Sequence, residues 1–285
     1  MRRSSSCIPV ERPRFSPMKR YGIGKMIFGA SALAFFHNRE PTWKAMREAI
    51  QSITSLNLGV EIWIPCQTAG RIFPGPDSAV LHTDKDDLPF ISMHTQLDSW
   101  DRQALCQEID QCAALGATTL VLHNKTLGCH HSSAQPDYPE IARLAQTARL
   151  RGIAFALENS SDNLWFLDQI LDRIGDDPQK TNIGVCIDVG HAHMSTDAGR
   201  QPIRAYLKRY KEQLIHLHLH DNDGKEDLHR IPGEGSINWP EALETIHRID
   251  YRGPAVIELH SSGDPITDIK RATRFFAHLT SKTST

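Results

Sequence analysis

The sequence predicts an α/β fold closed as a single (β/α)8 barrel, and three observations carry that prediction. Short apolar runs recur near residues 26–31, 59–63, 89–94, 118–123, 153–158, 183–188, 214–220 and 254–259, as continuous as strands buried on both faces require. Segments with helical spacing separate them. Six segments then end in histidine or carboxylate: ISMH at His94, LVLH at His123, AFALE at Glu158, CIDVGH with Asp188 and His191, HLHLHD with His218, and AVIELH with Glu258. Parallel strands closed into a barrel deliver such tips to one mouth, where the active sites of this fold lie. A chain of 285 residues suits one barrel, whose usual size is ~250 residues.

Taken in order, Met1 to Lys25 is rich in Arg, Lys, Ser and Pro and meets the apolar run Met26 to Phe36. That juxtaposition resembles a secretory signal. Against it, Lys25 abuts the run, the run is short, and MIFGASA is needed as the first of eight strands. Residues 1–24 are read as a flexible extension and 25–280 as the barrel domain. Helices are expected over Trp43 to Leu56, Trp100 to Leu115, Pro139 to Leu150, Asn163 to Ile174, Ile203 to Tyr210, Trp239 to Ile249 and Pro265 to Leu279. Gly59, Gly116, Gly152, Gly184 and Gly253 fall where a helix stops or the next strand begins. The second connection, Pro65 to Pro89, is long and carries Pro74-Gly75-Pro76 and an acidic run from Asp84. It reads as a substrate-covering loop holding a short helix.

The formal net charge is −2, from 32 basic against 34 acidic residues, so no global field draws the chain to nucleic acid or acidic membranes. No stretch is long enough to span a bilayer. Cys7, Cys66, Cys106, Cys112, Cys129 and Cys186 are scattered without CxxC spacing, which argues against a disulfide framework or a cysteine zinc site. A reducing cytoplasm is the expected location.

Imidazole and carboxylate together suit Zn²⁺, Mn²⁺, Co²⁺ or Fe²⁺ better than Ca²⁺ or Mg²⁺. A single histidine at a strand end is ordinarily a hydrogen-bonded structural residue; the convergence of His94 and His123 with the other tips favours ligation. Glu158 and Glu258 follow strongly apolar segments, where an unpaired carboxylate is expensive, and a cation or a catalytic proton is the simplest compensation. In HLHLH, the residues His216, His218 and His220 share one strand face, but only one or two reach the rim. His218 is the preferred ligand, His216 is read as packed behind it, and His220 stays open. His193, His260, His130 and His131 are read as solvent-facing or supporting, and His37, His82, His247 and His278 as ordinary surface or packing residues.

On these motifs the chain resembles the xylose isomerase-like TIM-barrel superfamily, also called AP endonuclease family 2, over about residues 25–280. In its sugar isomerase and epimerase branch one cation is held by Glu, Asp, His and Glu, matching Glu158, Asp188, His218 and Glu258; GVEIW at Gly59 to Trp63 also looks like that branch. In the endonuclease IV branch nine residues hold three zinc ions. His94, His123 and Glu158 match the first set, Glu158, Asp188, His218 and Glu258 the second, and His191, Asp227 and His229 the third, with Gly233-Glu234-Gly235 following at the same offset. One departure disfavours DNA: Thr95-Gln96-Leu97 stands where the endonucleases carry an aromatic and aliphatic wedge that supports base flipping. Arg71 alone is weak footing for a duplex.

The resemblance implies a divalent metal, Zn or Mn, as one to three ions, and a small sugar-like substrate. The implied reaction is isomerisation or epimerisation of a small sugar, sugar phosphate or related keto-polyol through an ene-diolate, with Glu158 and Glu258 as base and acid. His191 and His229 would orient substrate hydroxyls, and Lys125 or Arg230 would receive a phosphate. The alternative is a multinuclear zinc phosphodiesterase acting on abasic-site DNA or a small phosphate ester. The oligomeric state stays open.

Overall fold

The computed structural model describes residues 26–36, 42–63, 88–129, 136–160, 165–195 and 202–282. Eight parallel strands close a barrel in sequence order: β1 (Ile27–Ser31), β2 (Gly59–Ile62), β3 (Ile91–His94), β4 (Thr119–Leu122), β5 (Ala154–Glu158), β6 (Ile183–Asp188), β7 (Leu214–Leu219) and β8 (Pro254–Ile257). Closure comes from β1 pairing with β8, Phe28 lying opposite Ala255. All eight expected strands are present, β6 with the expected bounds and the other seven shorter by one or two residues.

Around the barrel run α1 (Leu33–Phe36), α2 (Trp43–Thr54), α3 (Arg102–Leu115), α4 (Tyr138–Arg149), α5 (Trp165–Ile174), α6 (Pro178–Thr181), α7 (Val189–Met194), α8 (Pro202–Arg209), α9 (Trp239–Arg248) and α10 (Pro265–Lys282). Helices α2, α3, α4 and α9 start on side-chain caps, Thr42, Asp101, Asp137 and Asn238, each accepting a hydrogen bond from a first-turn backbone N–H. α3 ends at Gly116 with φ 74°, a left-handed terminus that glycine adopts without a Cβ clash. No described helix is long and apolar enough to cross a membrane. The N-terminal extension, most of the second connection (residues 64–87, including Arg71) and His37, His82, His130 and His131 lie outside the described residues.

Alternation along each strand divides the core into two compartments. Outward residues such as Phe155, Leu157, Val185, Ile187, Leu217 and Leu219 pack under the helices in the main core. Inside the barrel a small apolar cluster of Val121, Ala156 and Cys186, with Ile215 against it, forms one layer. Phe90 fills the barrel beside β1 and β2: a Cβ added at Gly29 or Gly59 would lie 2.4 and 2.3 Å from its ring. Above these layers the interior turns polar, with Glu61, Ser92, His94, Glu158, Asp188, His216, His218 and Glu258 all buried.

Candidate metal centre

Glu158 and Asp188 are the last residues of β5 and β6, His218 lies near the end of β7, and Glu258 directly follows β8. Their ligand atoms lie within 4.8 Å of one another. His218 Nδ1 is 3.1 Å from Glu158 Oε1, 3.3 Å from Glu258 Oε2 and 3.8 Å from Asp188 Oδ2. Two backbone-directed contacts fix Asp188: its N–H donates to Asn159 Oδ1 at 2.7 Å, while Asn159 Nδ2 donates to the Asp188 carbonyl at 3.1 Å. Asp188 Oδ1 in turn accepts from the His191 backbone N–H at 2.7 Å, capping α7.

Burial alone would raise the Glu158 and Asp188 carboxyl groups, but the surrounding imidazoles override it. His123 and His218 hold Glu158 well below the usual range, and His191 and His220 hold Asp188 down at about 2. Three buried carboxylates thus converge on one imidazole nitrogen, and Asp188 Oδ2 has no hydrogen-bond partner among the described residues. An ionised oxygen left bare in a protein interior is strongly unfavourable. A divalent cation with one imidazole and three carboxylate ligands satisfies it, so the residues present fit the metal implied by the sequence.

Two further clusters flank this set. His94 Nε2 and His123 Nε2 lie 3.2 and 2.8 Å from Glu158 Oε2. On the other side Asp227 Oδ2 is 3.1 Å from His191 Nε2 and Asp227 Oδ1 is 3.3 Å from His229 Nε2. His94, His191 and His229 share one arrangement: Nδ1 faces a backbone carbonyl, of Thr95, Asn159 and Glu258 at 3.0, 3.0 and 3.2 Å, so that Nδ1–H donates and Nε2 is presented. This pins the tautomer a ligand needs. Burial would lower these imidazoles, yet their carboxylate neighbours raise all three, His94 to about 9.

The nine expected ligands are therefore brought together at one mouth. Lys125 is exposed in the 3-10 turn Lys125–Leu127 after β4, and Arg230 is exposed in an isolated bridge with Asp221. Gln96 and Leu97 are held against the barrel, Gln96 by its N–H to Glu108 at 2.7 Å. His193 bonds Ser236 Oγ at 2.9 Å, and His260 stacks on His229 at 4.3 Å, both supporting positions.

Two residues of the cluster escaped the sequence reading. His220, left open there, is fully buried and joins His191, Asp227 and His229, with its ring stacked on His229 at 3.9 Å and Nε2 3.0 Å from Asp188 Oδ1. That contact lacks hydrogen-bond direction, and neither ring nitrogen has a hydrogen-bond partner among the described residues. The Gly190 of the DVGH motif makes room for it: a Cβ there would lie 2.0 Å from the ring. The other is Glu61 in β2, wholly buried beside His216 and His218. Its signal was a carboxylate in an apolar strand, the same that marked Glu158 and Glu258.

Residues 27–279 match the family described as Xylose isomerase-like TIM barrel. The chain belongs to this family. An uncharacterized protein of Methanocaldococcus jannaschii is 28% identical to this xylose isomerase-like barrel over 195 residues, 66% of each chain. The fructoselysine 3-epimerase of Shigella flexneri is 37% identical over 59 residues, 21% of each. The chain spans 66% and 56% of the length of the first two curated relatives it matches. Among solved structures, a D-tagatose 3-epimerase-like protein superposes with a TM-score of 0.66 at 22% identity, covering 91% of this chain and 100% of that one. A D-allulose 3-epimerase from Methylomonas sp., in complex with D-allulose, gives 0.65 at 18% identity over 90% and 97%. An AP endonuclease, family 2, from Brucella melitensis gives 0.61 at 14% over 88% and 99%. At these identities the structural likeness shows the fold alone.

Proposed function

We propose that this xylose isomerase-like barrel is a divalent-metal-dependent isomerase or epimerase of a small sugar, sugar phosphate or related keto-polyol. The observation that carries the reading is the pairing of Glu158 and Glu258. They enter the mouth from β5 and from the end of β8, three places apart in the ring, with carboxylate oxygens within 4.8 Å of each other. Two carboxylates approaching one carbon from different sides can remove a proton from one face and return one to the other. Glu158, Asp188, His218 and Glu258 would hold the cation, which when bound supplies Lewis polarisation of the substrate carbonyl and adjacent hydroxyl. Glu158 and Glu258 exchange the roles of base and acid, carrying the substrate through an ene-diolate. His191 and His229 orient substrate hydroxyls at the partly open side of the mouth, and Lys125 or Arg230 meets a phosphate where the substrate carries one. The sugar 3-epimerases among the relatives and structural neighbours support a ketose as the substrate class.

The test is turnover of a ketohexose panel, D-allulose and D-tagatose included, in D2O by protein loaded with Mn²⁺ or Zn²⁺. Deuterium should enter the product at the exchanged carbon, and Glu158→Gln and Glu258→Gln should each lower kcat by about 100-fold or more. Full turnover in either variant, or epimerisation without solvent exchange, would sink the proposal. A second reading, the zinc phosphodiesterase, is favoured by the two flanking clusters, His94/His123/Glu158 and His191/His220/Asp227/His229, which a single-ion epimerase does not need. It predicts cleavage of an abasic-site duplex that is lost in His94→Ala and in His229→Ala.

A further inference from the structure

The metal-facing histidines are not all held the same way. His94, His191 and His229 turn Nδ1 to a backbone carbonyl and present Nε2. His218 is reversed: Nδ1 faces the cage of Glu158, Glu258 and Asp188, and Nε2 points down the barrel axis to Glu61. Its Nε2 lies 3.1 Å from Glu61 Oε1 and 3.3 Å from Oε2, with the hydrogen bond directed at Oε2.

Glu61 is itself fixed from two other directions. His216 Nε2 reaches Oε2 at 2.9 Å and Ser92 Oγ donates to the same oxygen at 3.0 Å. His216 Nδ1 has no hydrogen-bond partner among the described residues, so Nε2 is the nitrogen that donates to Glu61. A carboxylate at 0% exposure, surrounded by donors from β3 and β7, is an acceptor only. Glu61 therefore demands a proton on His218 Nε2, and that leaves the His218 Nδ1 lone pair as the one aimed into the cage.

We infer that Glu61 is a positioning residue for the centre, fixing His218 as the Nε2–H tautomer so that Nδ1 is the metal-binding atom, with His216 and Ser92 locking Glu61 in place. The carboxylate also makes the imidazole a stronger donor to a cation, as a charged partner does and a backbone carbonyl does less well. The inference rests on the proposal that Glu158, Asp188, His218 and Glu258 hold a divalent cation, and concerns a residue that touches neither metal nor substrate.

The direct test is ¹⁵N NMR of histidine-labelled wild-type protein loaded with Zn²⁺, with His218 assigned by His218→Gln. The expected pattern is a protonated Nε2 and a metal-bound Nδ1. The opposite tautomer would overturn the inference whether or not Glu61→Gln folds. Alongside it, Zn²⁺ affinity is measured by chelator competition for wild type, Glu61→Gln and Ser92→Ala, with the melting temperature of each metal-free protein. Glu61→Gln should lose about 10- to 100-fold in affinity, while Ser92→Ala, which leaves the carboxylate in place, should lose far less. A Glu61→Gln protein that folds and binds Zn²⁺ within twofold of wild type would overturn the inference and leave the metal reading standing. Wild-type protein that binds no Zn²⁺ at this set would sink both.

Discussion

Glu108 shows how a single side chain below the mouth can make stability depend on pH. It lies in α3, 3% exposed, accepting Thr95 Oγ–H at 2.8 Å and the Gln96 N–H at 2.7 Å, and so ties the turn after His94 to the helix layer. Burial pushes its carboxyl up to about 7 from an ordinary 4.5, the two hydrogen bonds and His94 pulling back only in part. Between those values the native chain holds a proton that the unfolded chain has released. This contribution to stability is therefore present at pH 4.5 and below and is lost as pH rises to about 7. Glu108→Gln should remove the slope, gaining on wild type by on the order of 3 kcal/mol between pH 4.5 and pH 8. Urea denaturation at the two pH values measures it; a variant-minus-wild-type difference that does not change with pH would show that the buried carboxylate ionises without penalty. At this same scale His94, His123, Glu158, Asp188, His218 and Glu258 were legible because each closes or follows an apolar run, with His191 just beyond one, whereas Asp227 and His229 lie in a polar loop and were reached only through the family resemblance. Glu61 was not, because it sits one layer deeper in β2, where a strand tip no longer marks it, and its partners are 155 and 157 residues away in the chain. His220 was undecidable for a related reason: its place depends on the turn from β7 into the next loop and on the space above Gly190.

The strands and long helices were readable because each repeats one pattern for long enough to be seen. The short helices α1, α6 and α7 were not, being four to six residues long, less than two turns of any periodic signal. α7 still matters to the site, since its first turn carries His191 and is capped by Asp188. The internal order of the loop after β7 was equally hidden in the sequence, although its Asp227 and His229 had been singled out, and it is organised around one carboxylate. Asp221 Oδ1 accepts the N–H groups of Asn222 and Ile237 at 3.0 and 3.2 Å, and Oδ2 accepts Gly233 N–H and the Trp239 indole N–H, both at 2.8 Å. Asn222 reaches on to the Gly190 carbonyl at 2.9 Å, joining the loop to α7. His229 takes φ 43° within this loop, a left-handed conformation that a histidine keeps only when its surroundings hold it there. Asp221→Asn would set an amide N–H against donors that need an acceptor, destabilising the protein by about 1–3 kcal/mol. Hydrogen exchange should then accelerate at Asn222 to Ile237 while the barrel strands stay protected. Unchanged exchange in the loop would show that Asp221 does not organise it.

Across the whole molecule, barrel closure gathers the buried carboxylates Glu61, Glu158, Asp188 and Glu258 with the buried histidines His94, His216, His218, His220 and His229. Eight strands fix the positions of these groups before any ion arrives, so the folded chain presents the ligand cage and the unfolded chain does not. A cation that binds the native state alone stabilises it by RT ln(1 + [L]/Kd), about 2.7 kcal/mol at a hundred times Kd. For a domain of this size that corresponds to a rise in melting temperature of roughly 5–10 °C. Glu158 is the one ligand shared by the central set and the His94/His123 cluster. Glu158→Gln should abolish most of the rise, whereas a substitution confined to the outer loop, Asp227→Asn, should leave the contribution of the central set intact. Thermal melts of chelator-treated protein with and without excess Zn²⁺ or Mn²⁺ read the effect. A wild-type melting temperature indifferent to both metals would mean that protons on the histidines already balance the carboxylates fully, and that the convergence of charge at the mouth is not a metal centre.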